Sequence, residues 1–257
     1  MVIHMLYSKN SSAFIRNTIT GLLFFTLASA AFSANDDVLF ARIVCKDSSE
    51  YYLGESTYDY PIDGTQSMVK GLQNALFSKG KKYYENECHP DKYYSVNDAE
   101  EYGVYHTEEI HSKTVIKQTN KFILYSNFSY IYDGGAHGFG GFTYEIYTKP
   151  YGHVFKINQS DYKNPQKIRS ILWNNLTRDI EQEGFNELQH FGTTEDSLRI
   201  TENIYYEKDS LSFEYTVYEI APYAWGQIQI KVPYETILGN LKPEKARILK
   251  EIQESFK

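Results

Sequence analysis

Hydrophobic and polar positions change period several times along the chain, and each change marks an element. The run Val38-Leu39-Phe40-Ala41-Arg42-Ile43-Val44 is β-branched and aromatic enough to predict a strand. Tyr60-Pro61-Ile62-Asp63-Gly64 ends a turn-rich stretch, after which Met68, Leu72, Ala75 and Leu76 recur at helical spacing. This predicts a short amphipathic helix between Thr65 and Ser78, stopped by Gly80. From Lys81 to Glu101 the chain is polar and tyrosine-rich and contains Pro90, the pattern of a long surface connection.

Two β signals follow, at Thr114–Gln118 and Phe122–Tyr132, joined by the hairpin-length Thr119-Asn120-Lys121. A glycine-rich loop leads to a further strand at Phe142–Tyr147. Asn164-Pro165 is an N-cap followed by proline at the first helical position, and Ile168, Leu172, Leu176 and Ile180 make one helical stripe with Trp173 off it. The last third alternates. Leu211, Phe213, Tyr215 and Val217 point one way, with Ser212, Glu214 and Thr216 the other, and Ile228, Ile230 and Val232 repeat the pattern. Pro243 then opens a helix carrying Ile248, Leu249, Ile252 and Phe256. The predicted fold class is α+β, an antiparallel sheet with helices packed on one face.

The N-terminus departs from this pattern. Lys9 and Arg16 precede an apolar run from Gly21 to Ala28, and small residues follow to Ala34. A basic start, a short apolar middle and a small-residue exit form a secretory signal peptide, too short to make a stable membrane span. Cleavage between Ala31 and Asn35 is expected, which places the protein in the periplasm or outside the cell; an uncleaved anchor is the other reading. With no cysteine directly after the run, a lipoprotein is not expected.

Composition sharpens the picture. The 257 residues suit one domain or two small ones, and 24 Tyr, 15 Phe and 2 Trp favour strands over helical bundles. The net charge is −7, and loss of the signal removes Lys9 and Arg16 but no acid, leaving −9. Such a chain is a poor ligand for nucleic acid or anionic lipid and is suited to a cationic partner, although solubility alone also accounts for the charge. Cys45 and Cys88 are the only cysteines. In an oxidising compartment they form a disulfide, or else they are two buried thiols.

Catalytic patterns are lacking. His106 and His111 stand five apart, where a helical zinc motif needs four, so no metal site is expected, and no cofactor fingerprint occurs. Gly134-Gly135-Ala136-His137-Gly138-Phe139-Gly140-Gly141 lacks the Walker lysine and the dinucleotide spacing, but it sets His137 and Phe139 on a backbone almost bare of side chains. A bulged hairpin with His137 bonded internally explains the loop equally. The other unusual segment is Tyr218-Glu219-Ile220-Ala221-Pro222-Tyr223-Ala224-Trp225-Gly226, where Pro222 stiffens a corner and Tyr223 and Trp225 offer rigid contact area, unless they turn inward as core.

Together these segments resemble a known family. Tyr132-Asp133-Gly134-Gly135-Ala136-His137-Gly138, the corner Tyr218 to Gly226, and Val232-Pro233-Tyr234 look like the RsiV-like domain. That domain is the extracytoplasmic part of a bacterial anti-sigma factor that acts as a lysozyme receptor, and it also occurs beside peptidoglycan deacetylase modules. The resemblance covers residues 103 to 240. With the signal peptide at 1–33 set aside, the chain divides into a strand-and-helix half with a disulfide-pinned loop at 34–102 and an RsiV-like domain at 103–257. The function it implies is capture of a cationic lysozyme-like protein or other muramidase, as an inhibitor or immunity protein, through His137, Phe139, Pro222, Tyr223 and Trp225. A module binding peptidoglycan glycan is the second reading. A hydrolase using His137 with Glu219 is the third.

Overall fold

A computed structural model of the chain describes residues 24–26, 37–48, 52–86, 107–182 and 192–256. Most of the export-signal segment, Cys88, His106 and the connection beyond Asn86 lie outside the described residues. The strands are β1 (Phe24–Thr26), β2 (Leu39–Ser48), β3 (Tyr52–Asp63), β4 (Thr107–Gln118), β5 (Phe122–Tyr132), β6 (Phe139–Thr148), β7 (His153–Phe155), β8 (Ile204–Tyr206), β9 (Ser210–Tyr215) and β10 (Ile228–Pro233). The helices are α1 (Gln66–Leu76), α2 (Lys81–Asn86), α3 (Pro165–Gln182), α4 (Tyr234–Asn240) and α5 (Pro243–Glu254). The fold is α+β, as the periodicity predicts. Two compact units divide it: residues 1–114 with 129–139, and residues 115–128 with 140–257.

In the first unit β2 and β3 form a long antiparallel ladder, from Leu39 opposite Asp63 to Ser48 opposite Leu53, and β1 adds to the outer edge of β2. β3 pairs with β4 in parallel, a departure from the all-antiparallel expectation. α1 packs on β3 through Met68, Leu72 and Leu76, the stripe read from sequence. Two expectations are corrected. The stretch ending at Gly64 belongs to a twelve-residue strand, and Lys81–Asn86 is helix where a surface connection is expected. Tyrosine explains the first difference: Tyr58 and Tyr60 are buried, and their rings meet Tyr84 and Phe77 at centroid distances of 5.0 Å each. Tyrosines that look polar on the page thus supply the core here. Asp59, also buried, is matched by the Arg42 guanidinium in a two-point ion pair at 2.7 and 2.8 Å.

The second unit holds the larger core. Asn164 Oδ1 accepts from the Lys167 backbone N–H at 3.1 Å, so the expected N-cap is in place and α3 begins at Pro165. Ile168, Leu172, Leu176 and Ile180 are all buried, and α3 lies against β10 of a three-stranded sheet ordered β10, β9, β8. Leu211, Phe213, Tyr215, Ile230 and Val232 meet the helix from that sheet, each contributing about 1.5–3 kcal/mol through burial. On the opposite face of β9, Ser212 and Glu214 are fully buried too.

Candidate functional site

The corner after β9 is built as a sequence of anchored turns. The Glu219 N–H donates to the Thr216 carbonyl at 3.0 Å, closing a four-residue turn with Tyr218 at its third position. Tyr218 has φ of +66°, the left-handed value such a turn ordinarily gives to Gly or Asn, and it is the only non-glycine residue with positive φ among the described residues. The turn is held by its own acid. Glu219 Oε2 accepts from the Thr216 N–H at 3.0 Å and from the Thr216 hydroxyl at 3.3 Å, while Oε1 takes the Arg199 guanidinium at 2.5 Å. The Tyr215 hydroxyl donates to the Arg199 carbonyl at 2.7 Å, fixing the irregular segment before β8 from which Arg199 reaches.

Ile220 and Ala221 then sink into the core and act as the base of the projection. From there Pro222 begins a turn of 3-10 helix over Tyr223–Trp225, closed by the Trp225 and Gly226 N–H groups donating to the Pro222 and Tyr223 carbonyls. Gly226 leaves it at φ +67° and ψ −151°, a conformation open only to glycine. Pro222 is exposed, whereas Tyr223 and Trp225 are half-buried; Trp225 also packs against the core, and the Tyr223 ring lies 5.6 Å from that of Tyr218. The sequence left open whether these aromatics project or pack. Both occur, with Trp225 the more structural.

Immediately after the corner, Gln227 clamps the edge of β6. Its Oε1 accepts from the Phe142 N–H at 2.8 Å and its Nε2 donates to the Phe142 carbonyl at 3.2 Å, so one side-chain amide replaces a neighbouring strand. Asn203 repeats the device: Oδ1 accepts from the Tyr144 N–H at 3.0 Å and Nδ2 donates to the Phe142 carbonyl at 2.9 Å. Gln227 Nε2 donates also to Glu214 Oε2 at 2.9 Å. Glu214 is buried with Oε1 lacking a partner, and the Ser212 hydroxyl is likewise unsatisfied. Burial raises the Glu214 carboxyl above its ordinary range, partly offset by the Gln227 hydrogen bond and by the neighbouring polar side chains of Ser212 and Gln229. Tyr144 covers this cluster, and burial followed by the Glu214 charge pushes its phenol up to about 12.

The glycines of the loop from Gly134 to Gly141 have packing reasons. Gly134 sits at φ +88°. A Cβ on Gly138 would overlap the Tyr130 ring, and one on Gly141 would come within 3.1 Å of Gln227 Oε1 and 3.2 Å of Thr216 Cγ2. Gly141 thus permits the Gln227 clamp. His137 is exposed with Nδ1 at 3.3 Å from the Gly138 carbonyl, and Phe139 is 57% exposed. His137 and Phe139 fall in the first unit; Pro222, Tyr223 and Trp225 fall in the second.

An open cleft of about 410 Å³ adjoins the corner, lined among others by Thr143, Arg199, Glu202, Asn203, Thr216 and Glu219. Nothing in the sequence singled it out, since its residues come from four separate segments. Cys45 is buried in β2 with Sγ 3.7 Å from the Tyr84 carbonyl oxygen, four residues before Cys88 in the chain.

Comparison with known proteins gives the fold and leaves activity open. Residues 153–235, which contain the whole corner, match the family model described as "Protein of unknown function (DUF3298)". A DUF3298 family protein of Bacteroides fragilis is similar at 21% identity, with 84% of this chain and 99% of that one covered and a TM-score of 0.62. A DUF3298 family protein of Pseudomonas aeruginosa is similar at 15% identity, over 90% of this chain and 96% of that one, with a TM-score of 0.52. No curated protein sequence matches the chain.

Proposed function

We propose that this is an exported binding protein that captures a lysozyme-like or other cell-wall-degrading enzyme, as an inhibitor or immunity protein, with the corner from Tyr218 to Gly226 as its contact element. The observation that carries the reading is the build of the corner: a partly exposed Pro222–Trp225 turn on a buried Ile220–Ala221 base, latched by Glu219. A projection entering an enzyme cleft must be stiff before contact, because ordering it on binding would consume affinity. The RsiV-like motif order supports the same assignment, as does the −9 charge of the processed chain toward a cationic target. Export, removal of residues 1–33 and a Cys45–Cys88 disulfide belong to this proposal. His137 and Phe139 belong to it as secondary contacts.

A glycan-binding role has one observation in its favour, a row of rings from Phe128 to Phe142, Tyr144 and Tyr205 with centroid spacings of 4.6, 6.5 and 4.8 Å. Tyr144 and Tyr205, however, pack against the core, and Tyr144 lies close enough to feel the Glu214 charge, which makes them poor sugar platforms. The hydrolase reading has less support, since both Glu219 oxygens are engaged by Arg199 and Thr216.

Inhibition kinetics of a purified muramidase by the processed protein test the proposal. Tyr223→Ala is expected to weaken inhibition thirtyfold or more, as central aromatic anchors do. Trp225→Ala should lose both affinity and stability, and His137→Ala should do less than either. Retention on purified peptidoglycan without any effect on the enzyme would favour the glycan reading instead.

A further inference from the structure

We infer that Glu214 is a proton-operated latch on the exit of the corner: neutral, it holds Gln227 against β6, and ionised, it lets that clamp open. The latch does not depend on what the corner binds. It rests on a chain of contacts. Glu214 Oε2 accepts from Gln227 Nε2 at 2.9 Å, and the same side-chain amide spans the Phe142 N–H and carbonyl at 2.8 and 3.2 Å. Gln227 is the first residue past Gly226, so the side chain that ties the exit of the corner to β6 is itself seated on Glu214.

The seat lacks a compensating cation. β6 covers it with Tyr144, whose ring meets that of Tyr205 on β8, and Glu207 follows β8; Gln229 and Lys231 stand on β10. Lys231 is paired with Glu207 at 2.8 Å, and Glu207 is a second negative charge bearing on Glu214. Glu214 Oε1 and the neighbouring Ser212 hydroxyl, on fully buried residues, have no hydrogen-bond partner among the described residues. As a neutral acid with its proton on Oε1, Glu214 keeps Oε2 as the acceptor for Gln227 and buries no charge. As a carboxylate it offers Gln227 a stronger acceptor, but it holds an unpaired charge out of water, and that cost exceeds the gain from one stronger bond. Turning the carboxylate toward water relieves the cost and withdraws Oε2 from Gln227. Desolvation, with Glu207 acting in the same direction, keeps the neutral form present above the ordinary carboxylate range. The latch is therefore closed at low pH and opens as pH rises through the folded-state value.

The test reads two β6 amides that side chains hold. The Phe142 N–H is bonded to Gln227, and the Tyr144 N–H to Asn203 Oδ1 at 3.0 Å. Hydrogen exchange of both is followed by NMR from about pH 4 to about pH 8 in the parent and in Glu214→Gln, after correction for the intrinsic pH dependence of exchange. In the parent, protection of Phe142 should fall by about tenfold or more while that of Tyr144 changes by less than about threefold. In Glu214→Gln, which stays neutral, both should remain level. The midpoint should lie above 4.5 and coincide with loss of the infrared band of a protonated carboxyl, a band the Gln variant lacks. Protection of Phe142 that does not change with pH, or a fall that persists in Glu214→Gln, overturns the latch. An equal fall at Phe142 and Tyr144 overturns it too, since a general loss of stability moves both amides together. The contrast between the two amides and the carboxyl band of the parent decide the matter even if the variant does not fold.

Discussion

Replacing Glu214 by Gln should stabilise the protein at neutral pH, and the size of the effect follows from its surroundings. The carboxyl is fully buried in the central strand of the three-stranded sheet, with Oε2 bonded to Gln227 and Oε1 unsatisfied. The titratable and polar groups that bear on it are Tyr144 of β6, Glu207 after β8, Ser212 of its own strand, and Gln227, Gln229 and Lys231 on the β10 side. Lys231 is turned to Glu207 at 2.8 Å, so among the described residues no cation pairs with Glu214. A buried acceptor without a partner costs about 1–3 kcal/mol. Gln keeps the acceptor facing Gln227 and carries no charge, so we expect a gain of ~1–2 kcal/mol at pH 7. The pH dependence has a definite sign. Because burial raises the folded-state pKa above the ordinary value of 4.5, the stability this group contributes is complete below that value and is lost as pH rises through the folded pKa. The advantage of Glu214→Gln should therefore be greatest at pH 7–8 and shrink toward zero near pH 4. Urea unfolding of both proteins at several pH values measures it. A variant less stable than the parent at pH 7, by an amount unchanged at pH 4, would show that the carboxylate is a net stabilising partner and that its desolvation has been overstated.

Three further outcomes are expected. Gln227→Ala removes both bonds to the Phe142 backbone and the bond to Glu214, and should cost about 2 kcal/mol in urea unfolding, while Gln227→Glu should cost more by placing a second carboxylate beside the first. The exported protein should have a mass two hydrogens below its reduced form, with reduction costing ~3–4 kcal/mol for a loop of this length; recovery of Cys45 alkylated without prior reduction would contradict the bridge. Association with a cationic partner should slow as salt rises, with dissociation nearly constant, because the Debye length at physiological ionic strength is about 8 Å; a flat association rate would leave the acidic balance a solubility feature.

How far the sequence speaks depends on whether a residue's partner is local. α3 was legible because its cap and stripe are both contained in one stretch, from Asn164 to Ile180. β9 and β10 were legible because alternation is a property of the strand itself. β3 was not: Tyr58 and Tyr60 count as polar or apolar only according to whether Phe77 and Tyr84 cover them. α2 was missed for a related reason, since Lys81–Asn86 has no apolar stripe of its own beyond the ring of Tyr84. The corner was recognised as a stiffened turn from Pro222 and Gly226, but the positive φ of Tyr218 leaves no mark in residue type. The alternation of Glu214 with Phe213 and Tyr215 records only that it faces away from α3; its cover from Tyr144 comes from a strand some seventy residues earlier and leaves no local mark.

Two local rules are broken in this chain within five residues of each other, an uncompensated carboxyl at Glu214 and a left-handed tyrosine at Tyr218. Both disfavour the folded state, and both are tied to the same projection. Glu214 holds Gln227, which clamps β6 at the exit of the corner, and Glu219 holds Thr216 and Arg199 at its entrance. A chain selected for stability alone would place Gly at 218 and an apolar residue at 214, since either change relieves a cost without disturbing the α3-facing core. Both exceptions lie in the segment that leads into Pro222 to Trp225, while core positions such as Leu211 and Ile230 follow the ordinary rules, which fits the proposal that residues 214–227 are constrained by what the corner touches. The same reasoning ranks the two segments the sequence brought forward. The glycines at 138 and 141 are accounted for by Tyr130 and Gln227, so their loop needs no partner to explain its composition, whereas Tyr218 keeps a positive φ with its side chain more than half exposed.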